Sequence, residues 1–220
     1  HHLDRANVAF TRPQFERTFR EYGLPEVIRT DNGAPFASAG LCGLSRLSYW
    51  WIRLGIHPER IEPGHPEQNG RHERLHKTLK AYTAQPPAST LRHQQKRFDG
   101  FRVEYNEQRP HEALQMRTPS SFYSHSVRPY PGRLPAICYP DHMRVTRVQM
   151  HGDILHQCKR IFITESLYGE YIGIEQVAQD RSLIWYCKYL LGQIDHQVWK
   201  VRPAKSASLL SAASCEKKPI

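Results

Sequence analysis

Apolar positions recur at helical spacing through the first part of the chain and alternate along the last part. Phe15, Phe19 and Tyr22 fall on one helical face. Thr11 is the expected cap, with Pro13 in the first turn and Gln14 three residues beyond Thr11, as in a capping box. Gly23 and Pro25 end that helix. Residues 26–30 then predict a short strand, and Asp31-Asn32-Gly33 predicts a turn. Leu44, Leu47, Trp51 and Leu54 recur at spacings of 3, 4 and 3 and mark a second helix that stops at Gly55. Residues 56–62 predict a strand interrupted by Pro58. Helices follow over about 69–82 and 89–108, the latter with Leu91, Phe98, the stem of Arg102 and Tyr105 along one side. This order, with tight connections, implies a layered α/β unit.

The pattern changes after residue 124. Val127-Arg128-Pro129-Tyr130-Pro131-Gly132-Arg133-Leu134-Pro135 carries three prolines and reads as a linker. Beyond it, residues 143–148, 160–164, 170–174, 182–187 and 190–195 alternate as short strands, with Gly152-Asp153 as a turn, and predict a small barrel-like all-β domain. The expected organisation is an α/β part over 1–124, a linker over 125–137, a β domain over 138–203 and a disordered Ser-, Ala- and Lys-rich tail over 204–220.

Composition narrows the choice of partner. Lys and Arg total 31 against 21 Asp and Glu, a formal charge of +10, with a pI of about 9.5. That balance suits an anionic partner, though a solvated basic surface gives the same sum. No apolar run reaches the roughly 20 residues that span a bilayer, so no membrane partner is expected. Cys42, Cys138, Cys158, Cys187 and Cys215 are odd in number, widely spaced and without a C-x-x-C pair, which argues against a disulfide framework or a zinc knuckle and for a reducing, cytoplasmic setting. The opening His1-His2-Leu3 has neither Met nor a signal-peptide pattern, and the chain is expected to be a piece of a longer protein.

Two carboxylates stand out. Asp31 follows a predicted strand, where an acidic side chain can hold a ligand at a sheet edge; Asp-Asn-Gly is also ordinary turn chemistry. Glu73 falls in the first turns of a helix made basic by Arg71, Arg74, Lys77 and Lys80. There it faces Lys77 one turn on, which stabilises the helix slightly. Brought together, two such carboxylates can hold a divalent cation for phosphoryl-transfer chemistry, with the surrounding cations holding a phosphate backbone. His65, His72 and His76 lie near Glu73, but hard magnesium prefers oxygen, so they read as surface or phosphate contacts.

Several separate motifs then stand in a fixed order: residues 22–36 (Tyr22-Gly23-Leu24-Pro25-Glu26-Val27-Ile28-Arg29-Thr30-Asp31-Asn32-Gly33-Ala34-Pro35-Phe36), Leu54-Gly55-Ile56, His65-Pro66 through Glu73-Arg74-Leu75-His76, Tyr105-Asn106 with Arg109-Pro110-His111, and Thr118-Pro119. Over roughly residues 10–125 the chain resembles bacterial insertion-sequence transposases with a retroviral-integrase-type core. The resemblance implies an α/β ribonuclease-H-like fold and an acidic triad that binds two Mg2+ or Mn2+ ions for DNA integration at transposon ends and target. It implies that Asp31 is the triad's second aspartate, Glu73 its glutamate, and Asn69-Gly70 the pair preceding that glutamate. Asn69, Arg71, Arg74, Lys77 and Lys80 are the expected DNA-binding side chains, and synapsis of two ends would favour a homo-oligomer. The triad's first aspartate has no counterpart. Asp4, the sole aspartate before Asp31, precedes a helix rather than lying in an apolar strand, so an N-terminally truncated core with little or no strand transfer is expected. A non-catalytic DNA-binding remnant is the alternative.

Residues 139–203 resemble, less specifically, the small C-terminal β domain of the same group. Arg144, Arg147, Lys159, Arg160 and Lys188 are candidate DNA contacts or ordinary outward positions. Trp185, Tyr186 and Trp199 are candidates to stack on bases, with a core role favoured.

Overall fold

Asn7, not Thr11, caps the first helix, α1 (Val8–Tyr22): its Oδ1 accepts from the Phe10 N–H at 3.1 Å. Thr11 sits buried inside the first turns, its N–H bonded to the Asn7 carbonyl. Pro13 lies inside this helix, one turn after Ala9, which is exposed. The computed structural model describes residues 7–62, 65, 70–84 and 86–204. Among the expected features, Asn69 and the tail from 205 onward lie outside the described residues, as does the side chain of Arg71.

The chain forms two compact units, His1–Pro25 with Arg60–Tyr130 and Glu26–Glu59 with Pro131–Ile220. In the first, Phe19 is buried and packs against Phe15 and Tyr130. Gly23 ends α1 at φ +78°, where a Cβ would lie 2.7 Å from the Ser126 carbonyl oxygen. That absence of bulk lets residues 126–128 lie along the helix end: Ser126 N–H donates to Tyr22 O at 3.0 Å and Leu24 N–H to Arg128 O at 2.7 Å. Helix α2 (Arg46–Arg53) belongs to the second unit, while α3 (Gly70–Thr83) and α4 (Leu91–Val103) pack together in the first.

Thr90 caps α4 by accepting from the His93 N–H. The predicted 89–108 helix is in fact α4 followed by a π-helical turn over Glu104–Gln108, closed by Arg109 N–H on Glu104 O at 2.7 Å. The buried residue of α4 is Phe101; Leu91, expected on the packed face, is 58% exposed. Tyr82, Phe101, Tyr105 and His111 form a continuous run of ring contacts from the end of α3 into the loop after the π turn.

In the second unit β1 (Val27–Thr30) pairs with β2 (His57–Arg60), and His57 N–H donates to Glu26 O. Pro58 lies inside β2, which is compatible with a two-stranded sheet whose strands both have an open edge. This is the sheet that the α/β part contributes among the described residues. Ser45 caps α2, which buries Leu47, Tyr49, Trp50, Trp51 and Ile52. The β domain is a five-stranded antiparallel sheet in the order β3 (Arg144–Arg147), β6 (Tyr171–Ala178), β7 (Arg181–Tyr186), β8 (Tyr189–Asp195), β9 (Lys200–Pro203), with a separate hairpin of β4 (Asp153–His156) and β5 (Lys159–Phe162). At the sheet's two edges β4 approaches β3 and β5 approaches β9.

Two of these strands were not expected. Residues 153–156 put Asp153 and His156 inside and Leu155 outside, reversing the usual sign of the alternation, and 200–203 ends in a proline. The core is formed by Ile154, Ile161, Leu167, Ile172, Ile184, Leu191 and Ile194, each at most 1% exposed. Leu44, Tyr49 and Ile52 join the same cluster. Gly173 admits the Tyr139 ring, whose Cδ1 would lie 2.6 Å from a Cβ there.

Candidate functional site

The α3 helix carries the densest described positive charge near a candidate acid. Glu73 lies in its first turn and is exposed, as are Arg74, Lys77 and Lys80. At about 100° per residue, Glu73, Lys77 and Lys80 project within an arc of roughly 60°, with Arg74 another roughly 60° beyond Lys77. A carboxylate thus shares its helix face with a short row of solvated cations, which suits a polyanion following the helix. The His72 and His76 rings are in contact, tilted at 55° with centroids 4.2 Å apart. Burial, with the charges of His72 and Lys80, lowers the affinity of His76 for a proton, so near neutral pH it adds little positive charge.

What fixes this helix is the α3–α4 turn and the ring contacts behind it. The Gln94 side chain donates to Thr83 O at 3.0 Å and accepts from Ala88 N–H at 2.9 Å. Arg97 donates to the carbonyls of Thr83 and Pro86. The Tyr105-Asn106 and Arg109-Pro110-His111 motif serves the same anchorage: a His111 ring nitrogen lies 3.1 Å from Tyr105 O, and its backbone pairs with Arg117. Sequence reasoning missed Gln94 and Arg97, because a turn clamp made by two polar side chains leaves no periodic signal.

Asp31 sits in the other compact unit, exposed, directly after β1. Its Oδ1 accepts from the Gly33 N–H at 3.0 Å, the local turn bond expected of Asp-x-Gly. On the strand it follows, Arg29 forms a two-point pair with Glu59 of β2, at 2.9 and 3.2 Å. The pairing depresses the proton affinity of the Glu59 carboxyl and raises that of the guanidinium. Asp31 and Glu73 belong to different compact units.

Carboxylate oxygen is the donor type that Mg2+ and Mn2+ take. Among the described residues, however, no group of three His, Cys, Asp or Glu side chains is assembled to hold a metal ion. The described donor set does not fit a complete two-metal centre.

In the β domain Arg144, Arg147, Lys159, Arg160 and Lys188 are all exposed. Arg147 donates to Gly169 O, and Arg160 pairs with Asp153 at 3.0 Å. Trp185 and Tyr186 are 6% and 1% exposed and belong to the core, while Trp199 lies partly buried with the His196 ring stacked on it. The described cysteines form no disulfide, and no described helix is long and apolar enough to cross a membrane.

Residues 54–119, which span α3, α4 and the π turn, match the integrase core domain family. Over this span the chain is similar to integrase-type cores of the insertion-sequence transposase kind. Such a core implies a ribonuclease-H-like α/β fold for this part of the chain. The chain is 32% identical over 108 residues to an uncharacterized 31.7 kDa protein of insertion element IS407 from Burkholderia multivorans. That alignment covers 49% of this chain and 37% of the relative, so the chain spans a little over a third of the relative's length. A simian T-cell lymphotropic virus intasome structure, in complex with a PP2A regulatory subunit, aligns at 16% identity with a TM-score of 0.39, covering 97% of this chain and 70% of that one. The integrase-type core contains Glu73, Arg74, Lys77 and Lys80, and Asp31 lies before its matched span.

Proposed function

We propose that the chain acts in DNA integration and transposition, through metal-dependent polynucleotidyl transfer at transposon ends. The observation that carries this reading is the integrase core match across α3, where Glu73 shares a face with Lys77 and Lys80. In this reading DNA is the partner, held along α3 by Asn69, Arg71, Arg74, Lys77 and Lys80. Asp31 and Glu73 are ligands for Mg2+ or Mn2+, protomers pair to hold two ends, and the setting is the cytoplasm. The β domain is a small barrel that adds phosphate contacts through Arg144, Arg147, Lys159, Arg160 and Lys188.

Strand transfer by this chain alone is absent or weak. A two-metal mechanism needs a carboxylate shared between ions to set their spacing, and among the described residues no three-member group exists. The same observation favours a second reading, a DNA-binding remnant that occupies transposon ends without cutting them. A transposon-end duplex incubated with the chain and Mg2+ or Mn2+ separates the outcomes. Binding without cleavage is expected. Robust cleavage that Glu73→Gln abolishes would show a complete centre, and absence of binding at low salt would remove the DNA reading altogether.

A further inference from the structure

The large rings that the sequence offers for base stacking, Trp185 and Tyr186, are buried, but other rings are not. In the first unit Phe122 and Tyr123 are 55% and 54% exposed. Tyr123 stands edge-on to Tyr22 at 5.9 Å and to His125 at 5.6 Å, and the His125 ring stacks on Tyr22 at 5.4 Å with an 18° interplanar angle. Guanidinium groups surround them. Arg102 donates to the Tyr22 hydroxyl at 2.8 Å, Arg117 covers the Phe122 ring at 5.2 Å, and Arg20 covers Tyr130 at 5.2 Å. An open groove of about 420 Å³ begins at Tyr22 and His125 and continues past Arg20 to Tyr130, within the roughly 300–1,000 Å³ range of ligand clefts. Glu21 pairs with Arg102 and Glu16 with Arg12 and Arg20, so a phosphate arriving here competes with these carboxylates. The surface keeps an excess of positive charge because Arg12, Arg20, Arg102 and Arg117 stand against Glu16 and Glu21.

We infer that Tyr123, with Tyr22 and His125, is a stacking shelf for an unpaired base of a DNA strand whose phosphates meet Arg20 and Arg102. Exposed rings beside arginines are what single-stranded nucleic acid uses: every base has a π-face, and the backbone needs only positive charge. A duplex keeps its bases stacked on each other and gains nothing from such rings. A peptide partner has no reason to prefer this excess of arginine. The inference rests on the DNA reading of the chain and adds the form of DNA that this surface takes.

The test compares a blunt duplex with the same duplex carrying a short single-stranded tail, using the full chain. The tail is expected to tighten binding about tenfold. Tyr123→Ala removes that increment and leaves blunt-duplex affinity unchanged, while Tyr123→Phe keeps it. With iodouracil in the tail, photocrosslinking to the unaltered chain marks residues 122–125, independently of how any variant folds. A tail that adds nothing, an increment that survives Tyr123→Ala, or crosslinks confined elsewhere overturns the shelf while leaving duplex binding, and so the broader reading, intact. Binding to neither probe overturns both.

Discussion

Replacing Arg74, Lys77 and Lys80 together by Ala tests whether α3 follows a phosphate backbone. All three are exposed, and Ala is at least as good a helix former as Lys or Arg, so the helix is expected to persist. If each side chain neutralises one phosphate, the three release counterions that contribute a slope of about −2.7 to log K against log salt, at roughly −0.9 per phosphate on duplex DNA. Over a fourfold rise in salt, from about 50 to about 200 mM, that slope alone weakens binding about fortyfold. The triple variant should therefore bind duplex with a slope shallower by about 2.7 units, and each single variant with one shallower by about 0.9. Fluorescence anisotropy of a labelled duplex across a salt series measures both. A triple variant that loses less than about one unit of slope would place the phosphate contacts elsewhere on the chain and refute the argument from helix geometry.

Two further outcomes concern the β domain. The Tyr139 hydroxyl accepts from Cys187 N–H at 3.1 Å and lies 2.9 and 3.2 Å from the carbonyls of Tyr171 and Trp185. Tyr139→Phe should thus cost about 1–3 kcal/mol for the buried donor it orphans, read by urea unfolding with tryptophan fluorescence; a loss under about 0.5 kcal/mol would mean water replaces the hydroxyl. His156 is 5% exposed, with neither ring nitrogen hydrogen-bonded, and burial, then the charges of Arg144 and His196, lower its proton affinity. Its cross-strand neighbour Lys159, with Asp153 and the Arg160 that pairs with it, completes the charged groups on this hairpin. The unfolded chain then binds the proton first, so stability holds above about pH 6.5 and falls below it, by at most about 1.4 kcal/mol per pH unit for one proton. The unfolding midpoint of His156→Phe should fall less steeply between pH 7 and 5 than that of the unaltered chain, and equal slopes would refute the assignment.

Elements whose pattern depends on local periodicity were legible from the sequence. The α2 helix announced itself through Leu44, Leu47, Trp51 and Leu54, and β1 through its position before Asp31-Asn32-Gly33. The sites of error are those where a polar side chain goes inside or a special backbone turn intervenes. Asp153 and His156 are buried on a strand while Leu155 is 60% exposed, so β4 carries no alternation of the expected sign. The π turn after α4 leaves residues 104–108 looking helical in sequence, because the extra residue per turn changes the hydrogen-bond partner without changing composition. At the candidate site the charge on α3 was visible as spacing, and Glu73 with it. The clamp of Gln94 and Arg97 was not, since it depends on where two helices meet.

The placement of Asp31 follows from α2. Tyr49, Trp50, Trp51 and Ile52 are four consecutive large apolar residues and all are buried, while exposed Arg46 and half-buried Arg53 fall on one face, so the helix needs cover everywhere but along that face. Phe36 stacks on Trp51 at 6.1 Å on one side. On another, Tyr49 meets Tyr186 edge-on at 5.3 Å and, with Leu44 and Ile52, enters the same cluster as Ile172, Ile184 and Leu191. Arg53 at the helix end then reaches both oxygens of Glu170, at 3.2 and 3.0 Å, and Glu170 also accepts from the Tyr186 hydroxyl. The strand β1 that Asp31 follows and its partner β2 flank this helix in the chain, and Asp31 shares the helix's compact unit. Asp31 is thereby tied to the β domain through the burial of Leu44, Tyr49 and Ile52 in its core, and an ion pair at 3.0 Å holds the end of that helix in place.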